Sequence, residues 1–231
     1  MINIIYRLCE KETNGNIRDF RPRWFSKEKC LQSFLNSVEF SKNHINKIIF
    51  LHDGPEGSLF NQIPKEFEII KIHEHNNERS VFKTLDIATE IGGNIYFVED
   101  DYLHKPESIS KIDISLPELK LVTGYDHLSK YTGQYSYHNF TVEKKSIFHE
   151  ASNTTWQTSE FACYTYAIEE LTYKNLETVI RNKGVNDINL FVELNHHGVP
   201  LWSSIPGLTT QVDPYQSPNV NWEEFNNTVN L

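Results

Sequence analysis

Three acidic residues in succession, Glu99, Asp100 and Asp101, directly follow the apolar run NIYFV at 94–98, which predicts a buried strand. Carboxylates at the end of a buried strand are costly unless a positive charge faces them. Mg²⁺ and Mn²⁺ prefer oxygen ligands and bind through one or two carboxylates together with substrate phosphates. A charge run by itself is usually an exposed acidic turn, but the position after a buried strand favours a site for a divalent metal ion.

A second acidic residue, Asp53, follows another apolar run, KIIFLH at 47–52, and precedes the turn signal Gly54-Pro55. The carboxyl ends of parallel strands meet at one edge of a sheet, so Asp53 and the acidic triplet are expected to face the same crevice. There Asp53 would accept hydrogen bonds from a nucleobase or ribose, or else shape the turn through its own backbone. Both interpretations stay open from the residues.

The segment after the third apolar run carries two cations, Arg79 and Lys83, that would meet a diphosphate in the same crevice. Two histidines, His73 and His75, lie just before them. Further ligands that would make these a zinc site are not evident nearby, so we interpret them as solvent-facing.

Strand and helix patterns alternate along the chain. Strands are predicted at 2–8, 47–52, 67–73, 94–98, 120–123, 164–168 and 200–204, and helices at 27–41, 80–91, 169–181 and 187–197. This alternation predicts a single α/β, Rossmann-like domain over 1–231, with a mostly parallel central sheet flanked by helices. The end of the chain, 213–231, is rich in Asn and Pro and is predicted to be a tail or a lid.

Composition narrows the class of protein. The net charge of −9 argues against a nucleic-acid partner bound through a broad basic surface. The three cysteines form no CxxC pair, which favours a reducing compartment over a disulfide framework. No stretch approaches the roughly 20 apolar residues of a transmembrane helix. We therefore expect a cytoplasmic protein without a transmembrane segment.

Three segments resemble the glycosyltransferase-A (GT-A) fold family: IIYRL at 4–8, IIFLHDGP at 48–55 and TLDIATEIGGNIYFVEDD at 84–101. The resemblance implies that Glu-Asp-Asp is the Asp-X-Asp-like motif of that family, which binds Mn²⁺ or Mg²⁺ and the diphosphate of a nucleotide sugar. Metal contact then falls on Asp101, with Asp100 beside it, while Asp100 and Glu99 face the ribose and sugar. Arg7 and Asp53 would line the nucleoside pocket.

The resemblance makes 1–105 the nucleotide-sugar-binding half and 106–212 the acceptor half. Inverting members of the family place a catalytic carboxylate at the start of a helix, where this chain has Asp187. Asp187 would act as the general base or simply cap the helix. Glu160 is the rival base, and Trp156 is predicted to contact the acceptor. Where relatives carry a C-terminal histidine ligand, the segment SIPGLTTQVD at 204–213 offers Gln211 and Asp213.

The resemblance therefore implies a metal-dependent glycosyltransferase of the hexosyltransferase type, moving a sugar from a nucleotide-sugar donor to a glycan or other hydroxyl acceptor. UDP-sugar is the expected donor by family frequency. One alternative is a sugar-nucleotide-forming nucleotidylyltransferase, although the loop LCEKETNGNIRDFRPR at 8–23 lacks the glycine-rich element expected to cradle a triphosphate. The other is a non-catalytic sugar-binding module on the same fold.

Overall fold

The structure, a computed structural model, describes residues 1–10, 21–132, 146–184 and 186–231. Its strands are β1 (Ile2–Cys9), β2 (Ile45–Asp53), β3 (Glu68–Ile72), β4 (Asn94–Glu99), β5 (Tyr102–His104), β6 (Leu121–Thr123), β7 (Phe148–Ala151), β8 (Thr154–Ser159), β9 (Tyr166–Ile168), β10 (Leu201–Ile205) and β11 (Thr209–Gln211). Its helices are α1 (Lys27–Phe40), α2 (Asn77–Ile91), α3 (Ser108–Leu119), α4 (Ser129–Thr132), α5 (Glu170–Lys183), α6 (Asp187–His196) and α7 (Trp222–Thr228).

The central sheet described by these ranges has nine strands in the order β3-β2-β1-β4-β9-β6-β10-β8-β7. Pairing is parallel from β3 through β4 and between β6 and β10, and antiparallel on both sides of β9 and of β8. Seven of these nine strands therefore run in one direction, and β8 and β9 run in the other. A smaller antiparallel sheet joins β5 to β11. The predicted α/β class with a mostly parallel sheet is confirmed.

Strand β1 shows why the central strands are continuous apolar runs. Tyr6 and Leu8 belong to the core shared with α1 and α3 on one face, whereas Ile5 belongs to the core shared with α2, α5 and α6 on the other. Successive side chains of a strand point to opposite faces, so a strand covered on both sides needs apolar residues at nearly every position.

The predicted helices and strands are confirmed within a few residues of their ends. The short elements β5, β11, α4 and α7 were not predicted, and neither was α3. Pro106 precedes the helical pattern of α3, and Pro117 interrupts it. Pro117 lies near the end of α3, and buried Ile109, Ile112 and Leu116 pack the helix onto the core. The hairpin of β7 and β8 was also missed, because its strands are polar and largely accessible.

The C-terminal segment is packed against the body of the protein. Trp222 is buried with Cys30, Leu103 and Val212, and its ring N–H donates to the carbonyl of Ser217 over 2.9 Å. These contacts place the residues that follow β11 beside α1 and β5, which lie next to the acidic motif.

Within the described part of the chain, no helix combines the length and apolar character needed to span a bilayer.

Candidate functional site

The acidic motif lies where β4 leaves the sheet, next to the carboxyl end of β1. In the parallel register of these strands Arg7 stands opposite Glu99, and in the β1–β2 register Cys9 stands opposite Asp53. The carboxyl edge of the sheet therefore gathers residues from three strands, at the position where α/β sheets bind ligands.

Each carboxylate of the motif faces its own cation. The pairs are Glu99 with Arg7 at 2.6 Å, Asp100 with Lys27 at 2.9 Å and Asp101 with Arg21 at 2.6 Å. All six side chains are between 10% and 20% exposed. Paired charges of this kind are held in a poorly solvated environment, where removing one partner leaves the other uncompensated.

The pairs differ in how firmly they are anchored. Arg7 donates through Nε and Nη2 to the same oxygen of Glu99 and through Nη1 to the carbonyl of Asn77, at the start of α2. Lys27 donates to Asp100 and to the carbonyl of Cys9, both from a single ammonium group. The backbone N–H of Cys9 donates to the same Asp100 oxygen over 2.8 Å.

Asp101 is held by the C-terminal part of the chain. Gln211 donates its side-chain amide to Asp101 Oδ2 over 3.0 Å, and Arg21 donates both to that oxygen and to the carbonyl of Val212. The other oxygen, Asp101 Oδ1, is buried without a hydrogen-bond partner among the described residues. A buried carboxylate oxygen in this state is an acceptor position for an additional ligand or ion.

The carboxyl groups of the cluster have pKa values shifted in different directions. Burial raises the pKa of Glu99 to about 7, against the attraction of Arg7. Burial also acts to raise the pKa of Asp101, but Arg21 and Gln211 outweigh it and hold that pKa below the ordinary value. Asp213, two residues after β11, has its pKa raised to about 7 by burial and by the nearby charge of Asp101.

The donor set fits a divalent metal ion bound in part by substrate. Among the described residues, no group of three or more His, Cys, Asp or Glu side chains forms a complete ligand cage. Mg²⁺ and Mn²⁺ do not require one, since one or two carboxylates and substrate phosphates suffice. The unpartnered oxygen of Asp101 and the neighbouring carboxyl of Asp213 are hard oxygen ligands of the required type.

Asp187 lies in the first turn of α6, with its carboxylate held by the backbone. The N–H of Cys163 donates to Asp187 Oδ2 over 3.1 Å, and burial raises the pKa of Asp187. Cys163 and Tyr164 both have positive φ, 41° and 61°, in the left-handed region that non-glycine residues rarely adopt. Backbone strain of this kind is a feature of functional sites. Asn186 rather than Asp187 caps α6, accepting from the N–H of Asn189.

Tyr102 connects Asp187 to the acidic motif. Tyr102 follows Asp101 directly, and its hydroxyl donates to the carbonyl of Ala162, the residue before Cys163, over 2.9 Å. Tyr102 therefore links the residue that follows the motif to the turn that holds Asp187. The rival base, Glu160, is half-buried just after β8 and stays a prediction.

Other sequence-predicted residues take different positions. Trp156 is fully buried in the core, and its ring N–H donates to the carbonyl of Ala151, so the predicted acceptor contact is wrong for this residue. Asp53 accepts from the N–H of His75 over 3.2 Å and so ties the end of β2 to the loop after β3, and its predicted role toward a nucleoside stays a prediction. Arg79 and Lys83 project from α2 with exposed side chains and, among the described residues, contact no part of the acidic motif.

Arg21 and Lys27 are the site residues that sequence reasoning missed as ligands of the motif. The signal was the concentration of positive charge just before and inside the first turn of α1, where Arg21, Arg23 and Lys27 follow one another. Their partners lie 73 and 80 residues away in sequence, so the pattern alone does not connect them.

No protein-family model and no curated protein sequence matches the chain significantly. Solved structures do. The crystal structure of S. aureus TarS 1–349 matches with a TM-score of 0.53 and 10% identity, over 87% of this chain and 57% of that one. The bifunctional IspDF from Campylobacter jejuni matches with a TM-score of 0.51 and 11% identity, over 87% of this chain and 48% of that one. The chain thus spans about half the length of each of these proteins.

These likenesses define the fold class. Both matched structures have the GT-A-like fold. The chain therefore has a GT-A-like fold, as the sequence resemblance predicted. At 10% and 11% identity the likeness concerns the fold, and the chemistry must be argued from the site itself.

Proposed function

We propose that this protein is a glycosyltransferase that moves a sugar from a nucleotide-sugar donor to a hydroxyl acceptor with the help of Mn²⁺ or Mg²⁺. The observation that carries the proposal is the buried carboxylate of Asp101, whose Oδ1 has no hydrogen-bond partner among the described residues at the carboxyl edge of β4. A GT-A-like fold uses that edge for its donor, and UDP-sugar is the donor we expect by family frequency.

In this proposal Asp101 and Asp213 would hold the metal ion, with Asp100 as a further oxygen ligand. When bound, the ion would act as a Lewis acid that neutralises charge developing on the departing diphosphate. Arg7 keeps Glu99 in place beside the ribose and sugar, through its bonds to that carboxylate and to the start of α2.

Asp187 is the proposed general base. It would take the proton from the acceptor hydroxyl while that oxygen bonds to the anomeric carbon and the bond from carbon to the diphosphate oxygen breaks. A carboxylate whose pKa is raised by burial is a stronger base than an exposed aspartate, which suits it to this role. Residues 106–212 would then form the acceptor half of the molecule, and residues 1–105 would form the donor half.

The test is calorimetric titration of UDP and then GDP, each with Mn²⁺ and with chelator. It compares the wild type, Asp101→Ala and a control, Asp113→Ala. The control removes another buried, paired carboxylate, which lies on α3 and bonds to His44 beyond the C-terminal end of α1. We expect metal-dependent binding of one nucleotide, lost in Asp101→Ala and retained in the control. Failure of both nucleotides to bind the wild type under any condition would overturn the proposal.

The likeness to IspDF favours one second candidate, a nucleotidyltransferase. Such an enzyme would bind a nucleoside triphosphate and release pyrophosphate on adding a sugar phosphate or related alcohol phosphate. Binding of a triphosphate in strong preference to the matching diphosphate, with pyrophosphate release, would select it. Binding of free sugar without metal or nucleotide would instead indicate a non-catalytic module.

A further inference from the structure

The acidic motif is already neutralised by the protein's own side chains. Three carboxylates face three cations, and every member of the cluster is largely buried. Adding a divalent cation to such a cluster would introduce two positive charges into a poorly solvated space, and even an ionised Asp213 would compensate only one of them, which is unfavourable. The metal ion therefore requires either the departure of a cation or the arrival of an anion.

The three cations differ in their position in the fold. Arg7 lies on β1 in register with Glu99 and is tied by three hydrogen bonds to Glu99 and α2. Lys27 and Arg21 lie outside the sheet, in and before the first turn of α1. They contact Asp101 and Asp100, two of the three carboxylates assigned to the metal ion in the proposed function.

Lys27 and Arg21 also have a second anchor each. Lys27 donates to the carbonyl of Cys9 over 3.0 Å, and Arg21 donates to the carbonyl of Val212 over 2.6 Å. These bonds to the main chain would keep both charged groups beside the motif after they release the carboxylates. A diphosphate, with its several oxygens and two or more negative charges, is the anion that such paired cations recognise.

We propose that Arg21 and Lys27 are the diphosphate-binding cations of this site, and that they exchange Asp101 and Asp100 for the diphosphate as the metal ion takes up the carboxylates. This inference rests on the proposed function. It replaces Arg79 and Lys83, the diphosphate contacts expected from sequence. Its consequence is reciprocal: metal ion and diphosphate each bind weakly alone and tightly together, because each supplies the charge that the other requires.

The first experiment measures Mn²⁺ binding to the wild-type protein by calorimetry, with and without saturating pyrophosphate. The heat of mixing Mn²⁺ with pyrophosphate alone is subtracted. We expect pyrophosphate to tighten Mn²⁺ binding by at least about tenfold, and Mn²⁺ to tighten pyrophosphate binding by the same factor. Mn²⁺ affinity that changes less than about twofold with pyrophosphate would overturn the inference.

The second experiment uses Lys27→Met and Arg21→Met, which remove one charge while keeping much of the apolar stem. We expect each variant to bind Mn²⁺ alone at least about tenfold more tightly than the wild type, and pyrophosphate more weakly, so that the coupling collapses. A merely structural role would weaken both ligands together. Lys29→Met is the matched control, because Lys29 lies on the same helix but bonds to the carbonyls of Asn226 and Val229.

The outcomes separate this inference from the proposed function. If UDP or GDP binds with metal but Mn²⁺ binds equally well alone, the exchange is wrong and the glycosyltransferase proposal stands. If both variants lose Mn²⁺ affinity in the absence of pyrophosphate while Lys29→Met does not, the exchange is likewise wrong. If neither nucleotide binds the wild type, the proposed function itself fails.

Discussion

Glu99, Asp100 and Asp101, at the end of β4, are paired with side-chain cations. Asp187, in the first turn of α6, is instead held by the backbone N–H of Cys163. A side-chain cation can leave its carboxylate and bind another anion. A backbone amide cannot, since it belongs to the main chain. The acidic motif therefore suits the exchange of ligands, and the environment of Asp187 suits a carboxylate that keeps its position.

The largest expected effect tests the amide-held carboxylate. Asp187→Asn keeps the size of the side chain and its place on α6 but removes the proton acceptor, so transfer activity should fall by about 10²–10⁴-fold. Activity is measured with the sugar derivative of whichever nucleotide binds. Metal-dependent nucleotide binding should stay within about twofold of wild type in the same preparation. Unchanged turnover in Asp187→Asn would move the role of base to Glu160, tested by Glu160→Gln.

The cation-held carboxylates should instead show a large effect on stability. Arg7→Met leaves Glu99 buried without its partner, which should lower the free energy of unfolding by about 3–5 kcal/mol. The double variant Arg7→Met/Glu99→Met should recover most of this loss, because a buried ion pair replaced by apolar residues of similar volume is often close to neutral. Urea unfolding of the four proteins in the double-mutant cycle measures both values. Additive losses in the double variant would show that the pair is not coupled.

The pH dependence of stability should differ in sign within the cluster. The folded pKa of Glu99, about 7, lies above its ordinary value of 4.5, so the folded state binds more protons between these pH values. The contribution of Glu99 is therefore present below about pH 4.5 and is lost as the pH rises to 7, by roughly 3 kcal/mol. For Asp101 the pKa is lowered, so its contribution is present above its ordinary pKa and is lost as the pH falls below about 4.

Unfolding free energies of wild type, Glu99→Gln and Asp101→Asn across pH 3–8 measure this difference. Glu99→Gln should become more stable relative to wild type as the pH rises from 4.5 to 7. Asp101→Asn should be less stable than wild type near neutral pH, and this difference should shrink only in the acidic range. Parallel curves for all three proteins would show that neither carboxyl group titrates differently in the folded state.

The smallest expected effects concern two helix caps, one beside the cation Lys27 and the other beside the carboxylate Asp187. Ser26 accepts from the N–H of Lys29 and caps α1, and Asn186 accepts from the N–H of Asn189 and caps α6. Alanine at either position should cost about 1 kcal/mol of stability. Ser26→Ala should also reduce the coupling between Mn²⁺ and pyrophosphate, since it loosens the turn that carries Lys27, while Asn186→Ala should reduce turnover. Thermal unfolding measures the loss of stability, and the binding and turnover assays measure the two functional effects. Reduced turnover in Ser26→Ala together with reduced coupling in Asn186→Ala would contradict the roles assigned to the two helices.

Local patterns in the sequence were sufficient for the fold from β1 to β4. Apolar runs predicted β1 to β4, helical spacing predicted α1 and α2, and the acidic triplet was expected at the end of β4, where the structure places it. These features depend on neighbouring residues: burial on both faces imposes continuous apolar strands, and helices follow a period of 3.6 residues. The polar hairpin of β7 and β8 and the proline-containing α3 lacked such signals.

Only the tertiary structure decided which side chains meet at the acidic motif. The cations of the motif come from 73, 80 and 92 residues before their carboxylates, and Gln211 reaches Asp101 from 110 residues after it. The same packing buried Trp156, which its polar neighbours had made a candidate for ligand contact. The sequence by itself determined the class of the fold and the position of the acidic motif on it. The partners of the motif depended on strand order and register, which bring distant residues together and leave no periodic trace along the chain.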